Sequence, residues 1–203
     1  MLILVHSSPV SLERDHGRHP NLGVLASPRC VYGDDICEWP WAADNDAYLA
    51  WDEDRYRSML DRITGRPGCL FVTAPDIVGD AAATLERFWQ WLPDVRRTGH
   101  PVALVAQDGI EHTSVPWDEL DALFVGGTTE FKFSAEAAAA VREARERGKW
   151  VHMGRVNSRK RFDYARAIGC DSVDGSKFSK WRNTWLPDAL TWHRDPYQER
   201  ISA

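Results

Sequence analysis

No apolar run in this sequence approaches the roughly 20 residues that a bilayer-spanning helix needs. Cysteine is scarce. The four stand at positions 30, 37, 69 and 170, and the near pair, Cys30 and Cys37, has a spacing that matches no usual zinc pattern. Core thiols in a cytosolic protein are the expectation. No two histidines stand at His-x-His or His-x-x-x-His spacing. A metal-dependent hydrolase therefore rests only on His6, His152 and aspartates near strand ends, and no metal is expected. Positive charge is not in excess either: 25 Lys and Arg face 30 Asp and Glu, for a net charge of -5. A protein basic all over is excluded, so contact with nucleic acid must come from a local patch. Repeats, low-complexity tracts and linkers are absent. Met1-Leu2-Ile3-Leu4-Val5 is too short for a signal peptide, lacks a basic leader and reads as a first buried strand. The expected location is the cytoplasm.

What is present points to a single packed domain. Of 203 residues, 43% are hydrophobic and 27% charged, enough for a sizeable core and unlike a disordered chain. From residue 68 onward, short apolar runs alternate with helical patterns. The runs cover 69–73, 101–106, 122–125, 150–153 and 170–173. Between them lie helices over 81–92 (capped by Asp80), 116–120, a long one capped by Ser134 and stopped by Gly148, and 158–168 ended by Gly169. The N-terminal third adds strands at 2–5, 23–26 and 39–43 and a helix over 54–63, with His16 and His19 placed in a loop. Alternating strand and helix with short connections means parallel strands and right-handed crossovers. About eight strands close a compact (β/α)8 TIM-like barrel; a doubly wound open sheet is the alternative. Residues 1–203 form one barrel domain, with 181–203 as a C-terminal tail. Ten tryptophans are many for this length. Most are expected to pack, and some to offer base-stacking surfaces.

Polar residues recur just after each strand: Asp44-Asn45-Asp46, Asp76, Gln107 with Asp108, Gly126 with Gly127, Arg155 with Asn157, and Asp174. In barrels and open α/β sheets alike, this end of the strands holds the active site. Carboxylates facing one pocket suit cleavage of a glycosidic bond, one acting at the anomeric carbon and the other moving the leaving group's proton. Gly126-Gly127 lets backbone N–H groups approach a ligand such as a purine carbonyl, and Gln107 with Asp76 can read an amide-like base edge. Arg159, Lys160 and Arg161 after one strand, and Lys177, Lys180 and Arg182 after the next, flank the pocket where they would hold phosphates.

Over roughly residues 40–180 the order of these motifs resembles the queuine tRNA-ribosyltransferase (tRNA-guanine transglycosylase) superfamily, most closely its small phage and bacterial relatives that place 7-deazaguanines in DNA. Ala43-Asp44-Asn45-Asp46-Ala47-Tyr48 is similar to that family's Asp-Ser-Gly-Gly-Phe segment, and Ala74-Pro75-Asp76 stands where a base-recognising aspartate is expected. Val105-Ala106-Gln107-Asp108-Gly109 resembles Val-Gln-Gly-Gly, and Phe124-Val125-Gly126-Gly127 resembles the Gly-Gly-Leu segment that binds the base carbonyl. His152-Met153-Gly154-Arg155-Val156 is similar to Leu-Met-Gly-Val-Gly. Gly169-Cys170-Asp171-Ser172-Val173-Asp174 resembles Gly-Val-Asp-Met-Phe-Asp, which ends in the nucleophile.

The resemblance implies Asp174 as nucleophile and Asp44 as general acid/base. It implies Asn45, Asp76, Gln107, Asp108, Gly126, Gly127, His152, Gly154 and Arg155 as substrate-binding residues. It also implies guanine-containing DNA and a 7-deazaguanine base such as 7-cyano-7-deazaguanine as partners, no cofactor, and a bacterial or phage-infected cytoplasm. Two departures count against tRNA as substrate: no cysteine follows Cys170, so the family's zinc cluster is missing, and the chain is far shorter than the tRNA enzymes. An N-glycosidase, a nucleoside deoxyribosyltransferase, a catalytically silent DNA-binding relative and a homodimer stay open.

Overall fold

The computed structural model describes residues 1–193. Eight strands form one closed barrel in which each pairs with the next in chain order and β8 returns to β1. They are β1 (Leu2–Val5), β2 (Leu22–Ala26), β3 (Trp41–Ala43), β4 (Cys69–Thr73), β5 (Val102–Ala106), β6 (Ala122–Val125), β7 (Trp150–Met153) and β8 (Ser172–Asp174). Every pairing is parallel. The open-sheet alternative is therefore excluded.

Side-chain alternation along these strands builds two cores. Leu4, Leu25, Ala42, Phe71, Ala103, Val105, Ala122 and Phe124 fill the barrel interior, while Leu2, Leu70 and Trp150 pack against them. The other faces, among them Ile3, Val5, Val24, Val72, Leu104, Leu123 and Val151, meet the helices in a larger outer core. Continuing the inward column one step past the apolar layer brings Asp44, Gln107, His152 and Asp174 to the C-terminal end of the barrel. Between β3 and β4 the register slips: Trp41 pairs Cys69, whereas Ala43 pairs Val72. The extra residue in β4 lets both Leu70 and Phe71 reach the interior core.

The helices are α1 (Pro9–His16), α2 (Glu53–Ile63), α3 (Ala81–Arg97), α4 (Thr129–Lys132), α5 (Ala135–Glu146), α6 (Arg159–Ile168), α7 (Ser176–Lys180) and α8 (Arg182–Thr191). Ser8, Asp52, Asp80, Thr128, Ser134 and Ser158 each cap a helix by accepting from the backbone N–H three residues on.

Four expectations change. His16 ends a helix rather than lying in a loop; Ser8 followed by Pro9 is a start signal. Helix α3 runs through Pro93 to Arg97 instead of stopping at Leu92. The carbonyl left without a donor there belongs to Trp89, which is exposed to water. Residues 116–120 form a turn, not a helix. The expected tail is in part a packed helix: α8 buries Leu186 and Ala189, and Trp192 beyond it meets Phe162 and Phe178 at ring distances of 5.5 and 6.0 Å. Residues 194–203 of that tail lie outside the described residues. No described helix is long and apolar enough to cross a membrane.

Candidate active site

The C-terminal ends of the strands surround a cavity of about 580 Å³. Asp44, Asn45, Asp76, Gln107, Gly126, Gly127, Gly154, Arg155 and Asp174 all line it. Of the expected substrate-binding residues, Asp108 and His152 stand back from its wall.

Asp174, the last residue of β8, is held from two sides. Its Oδ1 accepts from His152 Nε2 at 3.2 Å and from the Arg155 backbone N–H at 3.2 Å. His152 is fully buried beneath the cavity, with Phe124 and Phe71 at ring distances of 4.5 and 5.3 Å. Its Nδ1 lies 2.9 Å from Ser172 Oγ, which also accepts from Trp150 Nε1 at 2.9 Å. A neutral imidazole satisfies all of these contacts in one direction: Trp150 donates to Ser172, Ser172 to His152 Nδ1, and His152 Nε2–H to Asp174. His152 thus holds Asp174 from below and does not itself line the cavity. Burial raises the Asp174 carboxyl, but the hydrogen bond from His152, with His6 and Lys132 nearby, outweighs it and leaves Asp174 below the ordinary carboxylate range.

Asp44, one residue past β3, has the opposite environment. Burial, the neighbouring charges of Asp174 and Asp46, and more weakly Asp76, push it up to about 8 against the Asn45 N–H that its Oδ1 accepts at 2.8 Å. Near neutral pH one cavity therefore holds a carboxylic acid and a carboxylate.

The residues expected to read a base are brought together but bonded to one another. Asn45 Nδ2 donates to Ala74 O and to Asp76 Oδ1, each at 2.8 Å, while its Oδ1 takes the Ala47 N–H at 2.8 Å. Gln107 Nε2 donates to the other Asp76 oxygen, and Gln107 Oε1 takes the Gly79 N–H at 2.8 Å. Asn45 and Gln107 thus hold Asp76, whose oxygens keep further acceptor capacity; burial raises its carboxyl despite those donors.

The glycines have internal reasons. A Cβ at Gly126 would lie 2.5 Å from Val105 Cγ1, and one at Gly154 would lie 2.7 Å from Phe124 Cε1. The Gly126 N–H is already bonded to Ala106 O at 3.0 Å, which leaves Gly127 N–H as the donor of that pair without a protein acceptor among the described residues. Asp108 fastens the same loop, accepting from Thr128 N at 2.9 Å and from the Thr128 hydroxyl. These two bonds outweigh its burial and lower its carboxyl.

The six expected nucleic-acid residues divide. Arg161 and Lys180 line the cavity. Arg159 is instead paired to Asp163 at 2.9 Å, and Arg182 to Asp15 at 2.8 Å with a further bond to Ser7. Lys177 lies over the Trp185 ring at 4.1 Å, and Lys160 is exposed on α6. Carboxylates one helical turn away, or brought in by α1, cannot be read from a basic cluster alone.

Sequence reasoning missed or misjudged several cavity residues. Lys132 is 5% exposed, its Nζ donating to Gly154 O at 2.9 Å. His6, weighed only as a metal ligand, faces the cavity, and burial lowers it. Tyr48 stands at the mouth with the Arg155 guanidinium 4.1 Å from its ring centroid. Among the described residues, Asp46 and Arg155 are the two non-glycine residues with positive φ, at 59° and 61°. Such strain gathers at functional sites; the order of side chains along the chain carries no sign of it. Cys30, expected in the core, is exposed and lines the cavity. Among the described residues, no three His, Cys, Asp or Glu side chains converge as a metal site requires.

No family model matches the chain, and no curated protein does. Solved structures offer remote likenesses. A PaMucR phosphodiesterase in complex with c-di-GMP has a TM-score of 0.38 at 17% identity, over 70% of this chain and 71% of that one. Klebsiella pneumoniae BlrP1, in a manganese and cyclic-di-GMP complex, has 0.40 at 14%, over 79% and 39%. The Bacillus subtilis YkuI protein, with an EAL domain, has 0.39 at 15%, over 93% and 47%. The chain thus spans less than half of the latter two. None of the three is described as a base-exchange enzyme, and at these values the likenesses say nothing of this chain's chemistry.

Proposed function

We propose that the protein is a base-exchange transglycosylase that replaces guanine in nucleic acid, DNA rather than tRNA, with a 7-deazaguanine base. The observation that carries this reading is the pairing of Asp44 and Asp174 in one cavity with opposite protonation preferences. Environments that push two carboxyls apart mark an acid and a nucleophile or base.

In the first half-reaction an Asp174 oxygen attacks C1′ while the bond from C1′ to the base nitrogen breaks. The Asp44 proton passes to the departing guanine, leaving a sugar ester on Asp174 and an ionised Asp44. In the second, Asp44 removes the ring N–H proton of the incoming base, whose nitrogen attacks C1′ and releases the Asp174 carboxylate. The Gly127 N–H suits a base carbonyl, and the spare acceptor capacity of Asp76 suits a base N–H. Arg161 and Lys180 suit the flanking phosphates. A duplex substrate must present its base flipped out, at a cost of a few kcal/mol.

Incubating guanine-containing DNA with labelled free guanine tests the reading. Label is expected to enter the DNA with the strand intact. Guanine loss without replacement would make the protein a hydrolytic N-glycosidase, and strand cleavage would make it a phosphodiesterase.

A further inference from the structure

Lys132 is the cavity group that the mechanism above leaves without a task. It ends α4, and its ammonium is almost entirely out of water. A lysine ammonium has three donors, yet among the described residues it meets one protein acceptor, Gly154 O. A buried charge so poorly satisfied is costly unless something else meets it. Its charged neighbours are Arg155 and Arg161, which repel it, and Asp174 and Asp108, which attract it. Burial first, then Arg155 and Arg161, push the amine down to about 7 against those two carboxylates.

Its position limits what it can meet. Helix α4 begins two residues after Gly127, and a Cβ on its acceptor Gly154 would lie 3.3 Å from Asp174 Oδ1. The ammonium thus shares one cavity wall with the Gly126–Gly127 turn, Gly154 and the attacking carboxylate. A base seated with its carbonyl on the Gly127 N–H and its glycosidic nitrogen toward Asp174 has the substituent of its five-membered ring on this side.

We propose that Lys132 sets the choice of incoming base, taking a 7-substituent that accepts a hydrogen bond, such as a nitrile or carboxamide, and turning away a cationic aminomethyl group. This rests on the base-exchange reading. An acceptor there satisfies the free N–H groups and favours the protonated lysine. A cationic amine meets Lys132, Arg155 and Arg161 together.

Calorimetric binding of free bases to the intact protein tests this without catalysis. The wild type is expected to bind 7-cyano-7-deazaguanine at least about tenfold more tightly than 7-aminomethyl-7-deazaguanine, as one charged hydrogen bond implies. Lys132→Met should narrow the ratio to within about threefold, and Lys132→Arg should keep the preference at lower affinity. A wild-type ratio near one overturns the proposal, and needs no variant to fold. A ratio unchanged in Lys132→Met also overturns it. If either result accompanies exchange of labelled guanine into DNA, the Lys132 assignment fails alone. If no base binds and no label exchanges, the base-exchange reading fails and takes the proposal with it.

Discussion

At the end of β3, Asp44 meets three other aspartates, a tight turn and little positive charge. At the end of β8, Asp174 meets a histidine ring nitrogen, a backbone N–H and a lysine. Both carboxyls open on the same cavity and both are largely desolvated, so burial alone would raise each. The difference lies in what faces them. Three further carboxylates keep Asp44 protonated, whereas donors and cations keep Asp174 ionised. Protonation in this barrel is decided by which strand ends sit beside which, a consequence of closure that brings β8 next to β1 and across from β3.

The sharpest break in this comparison is Asp174→Asn. It removes the ester-forming oxygen while keeping shape, so exchange should fall by on the order of 10⁴-fold or more, with DNA affinity within about twofold in a filter-binding assay. Asp44→Asn should cost on the order of 10² to 10⁴-fold, the range of general acid/base loss. In the wild type, the rate of the first half-reaction should decline as pH rises through about 8, because the acid form of Asp44 is consumed there. Single-turnover guanine release against pH checks this, and the decline should vanish in Asp44→Asn.

The same comparison has a stability side with opposite signs. A carboxyl raised in the fold leaves stability intact below its unfolded value and loses it as pH climbs toward about 8. Asp44→Asn, whose amide oxygen can still accept the Asn45 N–H, should therefore stabilise the protein more at pH 8 than at pH 5. The difference should be about 2 kcal/mol, well below the full linkage value because the cavity is partly wet. Asp174 runs the other way, contributing stability above its unfolded value and losing it as pH falls below that. Thermal melts of wild type and both variants across this range measure each sign. His152→Gln should lower activity about 10- to 100-fold and move the acidic limb of the rate profile upward, since the Asp174 carboxyl loses its main donor. The smallest effects belong to the basic rim. Arg161→Ala and Lys180→Ala should each reduce the salt slope of DNA binding by about one. Arg159→Ala and Arg182→Ala, paired to Asp163 and Asp15, should change it less.

The barrel was legible because its strands are short apolar runs between capped helices, and period-two alternation carries straight through to the site. His152 and Asp174 stand two residues past Trp150 and Ser172, so each falls inward. What sequence order hides is lateral pairing. Nothing in the chain says that Gln107 and Asn45 turn to Asp76 rather than to a ligand, or that the Gly126 N–H is taken by Ala106. Nothing in the sequence marks Lys132, whose ammonium meets Gly154 O on the loop after β7. Helix α8 was hidden by Pro187 and a sequence with little amphipathic pattern; its docking depends on Trp192 finding Phe162 and Phe178.

The division of labour between the two strand ends is tested most directly by quenching the reaction with guanine-containing DNA in acid and mapping the adduct by peptide mass spectrometry. The account predicts a deoxyribosyl ester on the peptide containing Asp174 in the wild type and in Asp44→Asn, and none in Asp174→Asn. An adduct that persists in Asp174→Asn, or that maps to Asp44, Asp46 or Asp76, would contradict it.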